Sequence, residues 1–157
     1  MSPGDELRAL MRRAPASVSV VTVDTGHDRL GLTVSALVSL SLDPPLVGLS
    51  IGRDTAMHEL LREAGRFTVS LLAGGQEWLA QHFARGVPPI GMWSGIATED
   101  GDEGAPRLVG ALGWLDCRVV SEHEAGDHSF FVGEVESVRL GAPAPPLVYH
   151  DGSYRTL

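Results

Sequence analysis

Apolar and polar positions alternate at two periods along this chain, and the switches between them mark its elements. Asp5–Ala14 places Leu7, Leu10, Met11 and Ala14 at helical spacing, with Glu6, Arg8, Arg12 and Arg13 elsewhere. This predicts a short amphipathic helix ending before Pro15. Ser17–Val23 predicts a strand, with Asp24–Asp28 as its turn. From Gly31 to Leu42 the hydroxyls of Thr33, Ser35, Ser39 and Ser41 alternate with apolar residues. Period two predicts one extended segment with an apolar face and a hydroxyl face, and Asp43-Pro44-Pro45 breaks it. Leu46–Ile51 is a short apolar strand. Asp54-Thr55 starts a helix whose stripe is Met57, Leu60, Leu61 and Ala64 and whose stop is Gly65. Phe67–Leu72 predicts a strand, and Gln76–Ala84 a helix with Trp78, Leu79 and Phe83 as core contacts.

Arg85–Pro106 is the longest irregular stretch, rich in Gly and Pro, with acids at Glu99, Asp100, Asp102 and Glu103. Loops of this length are usually functional or mobile. Beyond it Leu115, Cys117 and Val119 alternate with Asp116 and Arg118, Ala125-Gly126-Asp127 turns, and Phe130–Leu140 resumes the ladder. A terminal hairpin around Asp151-Gly152 joins Leu147–His150 to Ser153–Leu157. The pattern predicts a mainly β fold with a few short helices, closed or nearly closed as an antiparallel barrel. At 157 residues, with no internal repeat or linker, residues 1–157 are expected to form a single domain.

Charge narrows the possible partners. Twenty acids stand against twelve bases, all arginine, for a net charge of −8. An acidic chain without a basic cluster has little to offer nucleic acid or an anionic membrane. No apolar run approaches the roughly 20 residues that span a bilayer, and the N-terminus lacks a secretory pattern. The single cysteine, Cys117, excludes an internal disulfide and favours a reducing, cytoplasmic setting.

Four stretches carry candidate chemistry. Thr33-Val34-Ser35-Ala36 with Ser39 and Ser41 offers hydroxyls and close backbone approach, although Ser and Thr also suit a solvated edge strand. Ser50-Ile51-Gly52-Arg53-Asp54-Thr55 leads into a helix, where free amides, a hydroxyl and a cation can hold a phosphate; a plain N-cap with a surface arginine is the alternative. Gln76 to Arg85 brings Phe83, Ala84 and Arg85 together on a helix that equally reads as core filling. Gly126-Asp127-His128 forms a tight turn from which a histidine emerges at the start of a strand. The cluster His123, Glu124, Asp127 and His128 matches no zinc signature. A serine nucleophile elbow, a phosphate-binding Walker loop and the Rossmann fingerprint are all absent from the sequence.

Gly31-Leu-Thr-Val-Ser-Ala36, followed by Ser39-x-Ser41-x-Asp43-Pro-Pro-Leu46, resembles the flavin-contacting segment of the flavin reductase-like family. The likeness extends from about Ala14 to Tyr154. It implies an FMN-binding split β-barrel in which Thr33, Val34, Ser35, Ala36, Ser39, Ser41, Phe83 and Ala84 meet FMN or FAD. It implies that Ser50, Ile51, Arg53 and Thr55 belong to the flavin phosphate position, with Arg85 as a second phosphate contact. Gly126-Asp127-His128 resembles the family triplet whose histidine serves NADH or NADPH binding, making His128 the candidate catalytic residue, and Tyr154 is a position that can meet the same nucleotide. The resemblance further implies a homodimer that supplies reduced flavin to a partner monooxygenase. A carrier or sensor that binds flavin without turnover is the rival reading, which Gly126-Asp127-His128 disfavours.

Overall fold

The computed structural model describes residues 1–85, 88–100 and 104–157. In chain order the elements are α1 (Pro3–Met11), β1 (Ala16–Ser17), β2 (Ser19–Asp24), β3 (Arg29–Val34), β4 (Leu37–Leu42), β5 (Pro45–Gly52), α2 (Ala56–Ala64), β6 (Arg66–Leu71), α3 (Glu77–Ala84), α4 (Pro89–Met92), β7 (Thr98–Asp100), β8 (Pro106–Leu108), β9 (Gly113–Ala125), β10 (His128–Leu140), β11 (Leu147–His150) and β12 (Ser153–Thr156). Asp102 and Glu103 of the acidic cluster lie outside the described residues.

Three local hairpins supply most of the architecture. At Asp24–Asp28 the Asp24 carboxylate accepts from Gly26 N at 2.8 Å and Thr25 Oγ1 accepts from Asp28 N at 2.9 Å, which turns β2 into β3. Pro44 follows a cis bond between β4 and β5. At the third turn Gly126 takes φ 64°, a left-handed conformation that favours glycine, and joins β9 to β10. The strands assemble antiparallel in the order β3-β2-β6-β9-β10-β5-β4. The two outermost strands, β3 and β4, are consecutive in sequence and are joined by Ser35-Ala36 alone. A twisted sheet whose edges are linked by two residues must curl on itself. The result is a split barrel with its seam between β3 and β4. A second sheet, β1-β11-β12, and the pair β7-β8 complete the described strands.

The 31–42 segment is therefore two strands, not one. The period-two pattern continues across the segment apart from Leu37 on the hydroxyl parity, but Ser35 and Ala36 are exposed and leave the ladder. Residues on either side of them fall on opposite edges of the sheet.

Inward-facing Val20, Leu49, Ile51, Phe67, Val69 and Phe131 meet Met57 and Leu61 of α2 in the core. Thr55 caps α2 as its sequence predicts, and Gly65, at φ 66°, ends it. The first helix begins earlier than its apolar stripe, because Ser2 and Asp5 form a reciprocal capping box ahead of it. It ends at Met11 and buries none of its residues. Trp78, expected in the core, is 54% exposed, since Leu79, Ala80 and Phe83 occupy the buried face of α3. A buried polar cluster centres on Asp116, which accepts from Thr68 Oγ1 at 2.7 Å, from Ser137 Oγ at 2.8 Å and from the Arg107 guanidinium. Beside it Cys117 is pushed up to about 12, by burial first and then by the charges of Asp116 and Glu136, so the thiol is chemically quiet.

Candidate functional site

The turn between β5 and α2 builds the polar end of the site. Thr55 Oγ1 donates to Gly52 O at 2.8 Å and accepts from His58 N at 3.3 Å, so this hydroxyl is committed to the cap. The first-turn amides of Ala56 and Met57 have no intrahelical acceptor, and the helix dipole adds positive potential where they point. Arg53 is clasped to the β9–β10 turn. Its amide donates to Asp127 O at 2.9 Å, Nη1 to Gly126 O at 3.3 Å, and Nη2 pairs with Glu124 Oε1 at 3.2 Å. These bonds bring Asp127-His128 beside Gly52, with His128 Nε2 3.9 Å from where a Gly52 Cβ would stand. His128 Nδ1 lies 2.7 Å from Asp127 Oδ1. That bond holds the Asp127 carboxyl below its usual range. An ionised carboxylate can only accept, so Nδ1 carries a proton and Nε2 is the ring nitrogen turned away from Asp127.

From this end a mainly apolar cleft of about 420 Å³ runs between Leu30-Gly31-Leu32 of β3, Thr55-Ala56-Met57 of α2, Phe83-Ala84 of α3 and Met92 of α4. A second cleft of about 150 Å³ is lined by Thr33, Val34, Ser35, Tyr149 and Tyr154, and Ala84 borders both. Phe83 forms the firm wall. It is 1% exposed, its ring lies against Gly31, and Trp93 packs on it with centroids 5.2 Å apart. Met92 Sδ accepts from Gly31 N at 3.2 Å, tying α4 to the same strand. Thr33 Oγ1 donates to Ala80 O at 2.7 Å and anchors α3 against β3. The Tyr149 and Tyr154 rings meet at a tilt with centroids 5.1 Å apart, and burial first, then Tyr149, raises the Tyr154 hydroxyl.

Thus the fold brings Thr33, Val34, Ser35, Thr55, Phe83, Ala84 and Tyr154 onto two adjoining clefts, with Arg53 and His128 at one end. Ser50 faces outward opposite Phe130, whereas the Ile51 side chain is core, 1% exposed. Ala36 is exposed in the link. Ser39 and Ser41 are not brought to these clefts. The 35–36 link carries them to the other edge strand, where they line a separate apolar cavity of about 400 Å³ with Leu37, Leu115 and Val138. Arg85 is the exposed C-cap residue of α3. Sequence reasoning passed over Leu30, Leu32, Ala56, Met92 and Tyr149. Leu30 and Leu32 continue the alternation ahead of Thr33 and were detectable; Met92 and Tyr149 carry no local signal.

The site's shape suits one class of ligand: a flat, largely apolar ring system with a phosphorylated tail. The apolar walls match the ring, and the amide end of α2 suits the phosphate.

Comparison with known proteins agrees. Residues 11–157 match the family model described as flavin reductase like domain. The chain is 42% identical to the reductase component of 4-hydroxyphenylacetate 3-monooxygenase from Thermus thermophilus, over 98% of this chain and 96% of that protein. The solved NADH:FAD oxidoreductase of Streptomyces globisporus superposes with a TM-score of 0.94 at 34% identity, covering 100% of this chain and 96% of the other. A flavin reductase component of a bacterial two-component tryptophan halogenase superposes at 0.92, with 36% identity and 98% of each chain covered.

Proposed function

The chain belongs to the flavin reductase-like family, and from that premise we propose that it transfers hydride from NADH to FMN or FAD and supplies reduced flavin to a partner monooxygenase. The observation that carries the reading is the pair of adjoining clefts from the α2 N-terminus to Tyr154, whose apolar walls and amide-bearing end would suit a flavin. When bound, the flavin supplies the hydride-accepting ring and NADH the hydride. The chain's own residues bind and orient. The Ala56 and Met57 amides with Arg53 would hold the phosphate, and Gly31, Phe83 and Ala84 would flank the ring. Thr33 keeps α3 in place, while Ser35 and Tyr154 would border the far end. His128, held by Asp127, would present Nε2 to the nicotinamide nucleotide. Hydride transfer needs orientation and exclusion of water more than a strong acid–base pair, and no such pair lines these clefts. NADPH as an alternative donor belongs to the same reading.

Purified protein given NADH is expected to oxidise it only when FMN or FAD is added. A yellow or flavin-binding protein that leaves NADH unchanged would convert the reading to a carrier or sensor. In the same assay His128→Ala is expected to lower kcat/KM for NADH roughly tenfold while FMN still binds. Unchanged kcat/KM in that variant removes His128 from the site.

The unit is a single domain over residues 1–157, acting as a homodimer in the cytoplasm. No helix among the described residues is long and apolar enough to cross a membrane, and the sole cysteine is buried and unpaired. For the dimer the support is exposed apolar surface on β4 and on the C-terminal end of β10, which meet where Leu42 and Val138 line one cavity. Val38, Leu40 and Leu42 of β4 are 44%, 46% and 88% exposed, and Val138 and Leu140 of β10 are 60% and 85% exposed. Patches of this kind on a folded chain mark interfaces. Light scattering after size exclusion is expected to give twice the chain mass, and Leu140→Arg with Leu42→Asp the single mass. A monomeric wild-type chain would overturn the dimer.

A further inference from the structure

We propose that His58 is a positioning residue of this site, tying the N-terminal turn of α2 to the first residues of β10 so that the phosphate end of the groove stays in register with His128. The inference rests on reading the groove as a flavin and nicotinamide nucleotide site. His58 is the third residue of α2 and is 2% exposed. Its Nε2 lies 2.8 Å from Ser129 Oγ and 3.2 Å from Glu122 Oε2, and its Nδ1 lies 3.2 Å from Glu59 Oε1. Its ring meets Phe131 edge-on, with centroids 5.4 Å apart. One side chain thus bridges α2, β9 and β10. Ser129 is the neighbour of His128, and its partner across the ladder is Ile51, the neighbour of Gly52. Both halves of the polar end are therefore one residue from the bridge.

Proton accounting gives the bridge a direction. Arg62 pairs with both oxygens of Glu122, at 2.8 and 2.9 Å, and Ser129 Oγ donates to the same carboxylate at 2.8 Å. Those bonds, the Arg62 one foremost, hold Glu122 ionised, at about 2. Ser129 has one proton and gives it to Glu122, so its oxygen accepts from His58 Nε2–H. The donor role of Nε2 and the ring orientation follow. Stability alone does not call for this arrangement. A buried imidazole costs free energy until it is bonded, and a leucine here would extend the packing of Met57 and Leu61 without that cost. A leucine would fill the space but would not fix the angle or distance between helix and strand. Misplacement of a binding group by about 1 Å is enough to weaken its hold on what it binds.

The test uses His58→Leu, His58→Gln and Ser129→Ala in the full chain, with folding followed by far-UV circular dichroism and thermal melting. FMN affinity is measured by fluorescence titration of flavin-free protein, and KM for NADH by steady-state turnover. His58→Leu and Ser129→Ala are expected to weaken FMN binding roughly tenfold and to raise KM for NADH similarly, while kcat changes less than about twofold. His58→Gln, whose amide nitrogen reaches the Nε2 position, is expected to recover both to within about threefold of wild type. A purely structural histidine would lower the melting temperature and leave the affinity and KM of folded protein unchanged; that result overturns the proposal. If His58→Leu does not fold, Ser129→Ala carries the same comparison, and wild-type affinity and KM there are equally fatal. Wild-type protein that binds no FMN overturns the reading of the groove instead.

Discussion

Asp116→Ala is expected to destabilise the protein by about 4 kcal/mol and to lower its melting temperature by about 10 °C. Asp116 and Arg107 are 1% and 3% exposed, so the substitution takes a carboxylate away from a buried guanidinium and removes the acceptor for Thr68 and Ser137. Removing one partner of such a pair costs far more than the pair itself contributes, because the remaining charge stays buried without that carboxylate. Denaturant unfolding measures the difference; a loss below about 1 kcal/mol would show that Arg107 finds other compensation. The effect depends on pH in a defined sense. Burial raises the Asp116 carboxyl, but the bonds from Thr68, Ser137 and Arg107 outweigh it and leave the group below its ordinary value. Its stabilisation is therefore complete above the ordinary carboxylate range and is lost as pH falls through the lowered folded value. Wild type and variant should converge in strong acid.

Gly31→Val is expected to abolish useful flavin binding. A Cβ at this position would lie 2.7 Å from two ring carbons of Phe83. Phe83 is hemmed in by Trp93 and His82, which pack on it at 5.2 and 4.9 Å. The open space beside it is the cleft itself. The displaced ring would occupy the proposed flavin position, so FMN affinity should fall by at least tenfold, alongside a stability loss of about 1–3 kcal/mol from overpacking. Fluorescence titration and melting separate the two effects. Affinity like that of wild type would show that this cleft is not where flavin binds.

Much of the molecule was legible because its elements are local. Helix α2 announced itself by the Thr55 cap, the Met57–Leu61 stripe and Gly65, and the terminal hairpin by Asp151-Gly152. What failed was long-range. Ser39 and Ser41 share the parity of Thr33 and Ser35 in the sequence, yet two exposed residues send them to the far edge of the sheet. No periodicity distinguishes a link from a strand residue when both are small. His58 was hidden for the converse reason. It sits beside an apolar stripe, and its partners Glu122 and Ser129 arrive from a hairpin far along the chain. The tie of Arg53 to Glu124 and Gly126 escaped for the same reason.

The strand order also dictates when this site can come into existence as the chain folds. The β2–β3, β4–β5 and β9–β10 hairpins close over a few residues each and need little loop entropy. Each contributes part of the groove or its polar end, and none contains a complete site. Gly52 and His128 become partners only when β5 finds β10, a pairing distant in sequence and therefore slow. A chain with every hairpin formed but the barrel still open has no place for ligand. Binding thus rewards only the finished closure, and a bound ligand holds the two distant strands together by mass action rather than stabilising any one hairpin.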